Sequence, residues 1–172
     1  MILLFKRILT TAVSLAILAG SSAAQGSPAQ AAIAQYQNQF KNESNPVRRA
    51  KLMAKLGRAE FDLIRKDLAA GDYEAAVKVV KDYETEAAEV QKGLDSTGID
   101  AEKNPSGFKE FQIAVRESID RLNDVLTGMT GDEQPPFGHA RKELESIDHA
   151  LIQRLFPRQP KAEAEHGKAT PQ

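Results

Sequence analysis

The feature that most constrains this chain is a seam. From Tyr73 the apolar positions run Tyr73, Ala76, Val80, Tyr83, Ala87, Val90 and Leu94, in alternating steps of three and four. That is the a/d pattern of a helix packed nearly antiparallel to a neighbour, here kept up for about three heptads. A strand, which changes face at every residue, could not bury such a set. The seam begins just after Gly71-Asp72. Gly takes the left-handed conformation that ends one helix, and Asp caps the next. The stretch "AAGDYEAAVKVV" therefore predicts a tight corner between two long helices.

The neighbours of this corner read the same way. Upstream, Asn45 is a good N-cap and Pro46 suits the first helical position. Leu52, Leu56, Ala59 and Leu63 then form one row, with Met53, Phe61, Ile64 and Leu68 beside it. Downstream, "DSTGIDAEK" is a loop, and Asn104-Pro105 repeats the start signal. A third helix follows with Phe108, Phe111, Val115, Ile119, Leu122 and Leu126. "TGMTGDEQPP" breaks it. A fourth, starting near Pro135 or Pro136, carries Phe137, Ala140, Leu144, Ile147, Leu151 and Leu155, and Pro157 stops it. Short connections favour an all-α, antiparallel up-down-up-down four-helix bundle over residues 45–156. Residues 25–44 form a short lead helix with a narrow stripe of Ile33, Tyr36 and Phe40. Residues 157–172 lack an apolar pattern and are expected to be a disordered tail.

Gly71, Asp72, Tyr73 and Ala76 resemble the turn of a tetratricopeptide repeat, with Leu63 suiting its first helix. Ile64, Asp67, Tyr83 and Ala88 depart from that pattern, the flanking helices are too long, and no second copy follows one period later. A repeat array is therefore not expected. A fainter symmetry links Asn45-Pro46 with Asn104-Pro105, Gly71-Asp72 with Gly131-Asp132, and "RAEFDLIRKDL" with "RESIDRLNDVL". It suits an old hairpin duplication, but helix punctuation draws on few residue types and explains it as well.

The N-terminus sets the compartment. Lys6 and Arg7 precede an apolar run of 13 residues from Ile8 to Gly20, then Ser22 and Ala24 at the minus-three and minus-one places. This is the pattern of a secretory signal peptide, cleaved here after residue 24. The run is short of the roughly 20 residues that span a bilayer. With no cysteine, the chain has no lipoprotein anchor, disulfide, zinc-thiolate site or covalent haem attachment. Removing Lys6 and Arg7 from 23 basic residues leaves 21 against 24 acidic ones, which gives no general pull toward nucleic acid.

Few residues suggest chemistry. Arg48, Lys51, Lys55 and Arg58 share one helix face, a candidate anion-binding row. If the corner centres on Gly71 and Asp72, that row comes level with Glu84, Glu86 and Glu89, and Asp62 with Lys81, so pairing within the hairpin accounts for it. His139 and His149 point away from the apolar face and stand roughly 15 Å apart along the helix; His166 is in the tail. Met53 and His149 would be the axial pair of a haem bundle, but His149 lies on the polar side. No carboxylate stands alone in an apolar stretch, so none is expected to have a burial-raised pKa. No catalytic, cofactor-binding or metal residues are expected. The reading is an exported, secreted or periplasmic, non-enzymatic helical bundle that binds another envelope protein or is structural there. The alternative is an exported bundle binding a small ligand, haem or metal.

Overall fold

The computed structural model describes residues 28–157, with side chains from residue 31 onward. The leader expected over residues 1–24, and the tail beyond Pro157 with its His166, lie outside the described residues. Among the described residues there are five helices: α1 (Pro28–Asn42), α2 (Pro46–Ala69), α3 (Tyr73–Ser96), α4 (Phe108–Thr127) and α5 (Gln134–Leu155). The fold is the all-α bundle that the periodicity predicts. No helix among the described residues is long and apolar enough to cross a membrane.

The corner between α2 and α3 is built as expected. Gly71 has φ +78°. The Asp72 amide donates to the Asp67 carbonyl at 2.8 Å and the Gly71 amide to Leu68 at 3.0 Å, which closes the helix in a Schellman motif. The Asp72 carboxylate then accepts from the Ala75 amide at 3.1 Å. At the start of α2 the Asn45 side chain accepts from the Arg48 amide at 3.0 Å, with Pro46 behind it.

Asn104-Pro105 behaves differently. It sits in the irregular link before the helix, and α4 begins at Phe108 behind Gly107. The reason is a close approach. Gly107 has φ +86°, and a Cβ there would lie 2.9 Å from Val47 Cγ1 of α2. The Glu110 carboxylate reaches back and accepts from the Gly107 amide at 2.7 Å, which satisfies the amide of the N-cap residue itself.

Two hairpins make the bundle. Within each, the helices are antiparallel: Arg49 of α2 meets Glu89 of α3, and Gln112 of α4 meets Asp148 of α5. Side by side, α2 packs on α4 and α3 on α5. Both of these contacts are parallel. Lys51 pairs with Glu110 and Arg58 with Glu117 across one, while Glu84 meets His139 and Asp95 meets Arg154 across the other. Successive helices alternate in direction, yet the link from α3 to α4 crosses to the diagonal corner. Both hairpin turns lie at one end, where the Tyr73 hydroxyl donates to the Glu133 carbonyl at 2.8 Å.

The centre is closed by Tyr83. Its ring lies over Gly57, where a Cβ would come within 3.0 Å of it. It also meets Phe61 edge-on, with ring centroids 5.4 Å apart. Ser118 donates its one hydroxyl proton to the Ala114 carbonyl at 2.9 Å, so Tyr83 is the donor in the 2.7 Å bond between the two hydroxyls. A buried phenol is thereby satisfied across the diagonal of the bundle.

Helix α1 runs back along α2 as an added layer. Ile33 and Phe40 are buried and Tyr36 partly so. The Arg49 guanidinium lies 4.1 Å from the centre of the Phe40 ring and pairs with Glu89 at 2.6 Å. With only Ile33 and Phe40 buried among its described side chains, α1 has fewer buried side chains than any other described helix, so it is the one expected to open most readily.

Candidate functional site

Beneath α1 two acidic side chains are buried. Glu60 of α2 is 0 % exposed and Glu86 of α3 is 9 % exposed. The Gln37 amide of α1 donates to Glu60 Oε1 at 3.1 Å. Glu60 Oε2 and Glu86 Oε2 have no hydrogen-bond partner among the described residues. A proton on either carboxyl supplies the missing donor. An ionised pair in so little water would carry a cost that one proton removes. Burial, followed by the charge of Glu86, pushes the Glu60 pKa up to about 8, against the smaller opposing effect of the Gln37 bond. Burial and the nearby Asp82 push Glu86 up to about 7, with Lys41 and Arg49 opposing.

This overturns the expectation that no carboxylate has a burial-raised pKa. A sequence signal was present. Met53, Gly57, Glu60 and Ile64 form one line of steps four, three and four, and Val79, Tyr83, Glu86 and Val90 form another. Glu86 lies beside the a/d seam of α3, next to Ala87, and each acid has further charges two or three positions away that mask it. Helix α2 also touches three helices, α1, α3 and α4, so its buried arc is wider than a reading of one face allows.

At the edge of α1 a crevice of about 470 Å³ is lined by Gln37, Lys41, Arg49, Asp82, Glu86 and Glu89, among others. Its acids and bases are largely paired: Arg49 with Glu89, and Lys78 with Asp82 at 2.6 Å. Arg49 Nε and Glu86 Oε2 remain buried and unpaired.

The basic row is on the surface, but its partners differ from those expected. Arg48 pairs with Glu43 at 3.3 Å, Lys51 with Glu110 at 3.7 Å, and Arg58 with Glu117 at 3.3 Å. Lys55 makes no ion pair among the described residues. The expected register was close to the one observed, but the rotation of the helix was not. The row turns toward α4, while Arg49 and Glu60 face α3 and α1. Asp62 likewise pairs with Arg65 on its own helix, and not with Lys81.

His139 and His149 are exposed. His139 Nδ1 lies 3.4 Å from Glu84, and His149 Nε2 lies 2.8 Å from the Gln153 amide. Met53 is enclosed in the core, so the two ends of the haem pair do not share a pocket. Among the described residues no group of three or more His, Asp or Glu is placed to hold a metal ion. Comparison with protein-family models, with curated proteins and with solved structures finds no match.

Proposed function

We propose that this chain is exported and works outside the cytoplasm as a non-enzymatic protein that binds another protein through the seat of α1. The observation that carries this reading is the way α1 is held. Tyr36 and Phe40 join the core where α1 packs on α2, with Ile33 buried on the same stripe, and a short link, Glu43 to Asn45, joins α1 to α2. A face that accepts an amphipathic helix of its own chain has the geometry to accept one from a partner. The leader-like N-terminus supports the compartment.

Cell fractionation tests export, and retention of the mature chain in the cytoplasm sinks it. Photo-crosslinking tests the surface. A reactive residue at Lys78 or Glu89, on the rim of the seat, should give one discrete adduct in envelope material, and one at Asp120 on α4 should give none. Equal labelling from both places removes the reading. A second reading, a small polar ligand, is favoured by the unpaired Arg49 Nε and Glu86 Oε2 beside the crevice. A bound molecule released on denaturing protein purified from its own compartment would select it.

A further inference from the structure

We propose that α1 is a proton-held cover: the protonated Glu60–Glu86 pair keeps it seated on the first hairpin, and loss of protons as pH rises releases it. The geometry has three parts. The two carboxyls come from different helices: Glu60 is fully buried against Gln37 of a third, and Glu86 is buried beside the crevice at that helix's edge. Each has an oxygen that no other described residue satisfies. The covering helix is held by a narrow apolar stripe and by Gln37, which donates to one of the acids themselves.

Charged and polar groups face the pair from three helices. From α1 come Gln37 and Lys41, from α2 comes Arg49, and from α3 come Lys78, Asp82 and Glu89. The nearby Tyr83 hydroxyl is committed to Ser118 of α4, with Arg121 beside it. Arg49 is committed to Glu89 and Lys78 to Asp82. Lys41 is left as the cation on α1 that favours the ionised pair, and it is exposed at the rim. Desolvation is the larger effect for both acids. The seated state therefore binds more protons than the open one, in which both carboxyls meet water and return toward ordinary values. Each proton lost on opening raises the opening constant up to about tenfold per pH unit.

This regulation acts on the binding face proposed above, but the test needs no partner, so the two readings can fail separately. Amide hydrogen exchange of the mature chain is followed from pH 5 to pH 8 and corrected for the intrinsic effect of pH. Over that range the opening constant of residues 28–42 should rise by at least about a hundredfold, while α4 and α5 keep their protection. The isosteric Glu60→Gln/Glu86→Gln chain should show no such rise, and Glu86→Gln alone should show part of it. If the double variant does not fold, the wild-type profile still decides. A change in α1 of less than threefold overturns the proposal. So does loss of protection in α5 in parallel with α1, which would mean global unfolding and not an opening of the cover.

Discussion

The two hairpins share a plan and differ inside. The second is filled by Phe111, Val115, Leu122, Phe137, Leu144, Ile147 and Leu151, and its buried polar side chain among the described residues, Ser118, is uncharged and hydrogen-bonded. The first places Glu60 and Glu86 at the same depth. In the register that aligns "RAEFDLIRKDL" with "RESIDRLNDVL", Ser118 stands where Glu60 does, and its hydroxyl is satisfied by the Ala114 carbonyl and Tyr83. The difference follows from what covers each hairpin. The acids of the first lie under α1, a third layer whose contribution is small and conditional. Burial in the second rests on contacts within and between the hairpins. One region gives the fold its margin of stability, and the other makes part of that margin depend on protons.

The largest test of this contrast is Leu122→Asp. Leu122 is fully buried, and an unpaired charge there costs several kcal/mol against a total of about 5–15 kcal/mol. Circular dichroism should show loss of the cooperative melt at every pH. A melt like that of wild type would show that the second hairpin tolerates charge as the first does, and the contrast would be gone.

The next largest effect is the response to pH. A carboxyl with a raised pKa in the folded state stabilises the fold fully below its unfolded value. It loses that contribution as pH rises through the folded value, about 8 for Glu60 and about 7 for Glu86. The free energy of unfolding in urea should therefore fall by a few kcal/mol from pH 5 to pH 8, since a tenfold change in proton affinity between folded and unfolded chains corresponds to about 1.4 kcal/mol. Glu60→Gln should remove a large part of that slope. An unfolding free energy that rises over this range would show that the pair ionises freely in the folded state.

At the diagonal, Tyr83→Phe deletes the donor to Ser118 without opening a cavity. It should cost about 1 kcal/mol in thermal or urea unfolding, with no change in the pH slope. At the corner, Gly71→Val places a β-branched side chain at φ +78°, which costs about 1–2 kcal/mol. Nothing lies within 4 Å of an added Cβ there, so the cost is backbone strain. A neutral or stabilising Gly71→Val would show that the turn relaxes into another conformation.

The sequence carried the helices and their apolar seams because periodicity and caps are local. Gly71-Asp72 and all six apolar positions named for α5, from Phe137 to Leu155, stand where the pattern put them. What it did not carry is relational. Asn104-Pro105 resembles a helix start, and the delay to Phe108 comes from the approach of Gly107 to Val47, a residue far away in the chain. Glu60 and Glu86 are charged side chains near other charges, and they read as surface until the neighbouring helices are laid against them. The candidate site was therefore illegible from any one helix, although both acids keep the step of a buried line.

The smallest effect is the most specific test of how the hairpins meet. Arg58 and Glu117 lie 3.3 Å apart with side chains 60 % and 40 % exposed, so water screens the pair and its coupling should be about 0.2–1 kcal/mol. A double-mutant cycle of Arg58→Ala with Glu117→Ala should recover a value in that range at low salt and lose most of it at high salt. The matching cycle with Glu84→Ala should give none, because Glu84 faces His139 on α5. The two cycles separate register from rotation. Coupling to Glu84 would turn the basic row back toward α3 and break the side-by-side parallel packing of α2 on α4. Coupling to Glu117 alone ties the hairpins together at the height that Lys51 and Glu110 also mark, whatever the state of the acids under α1.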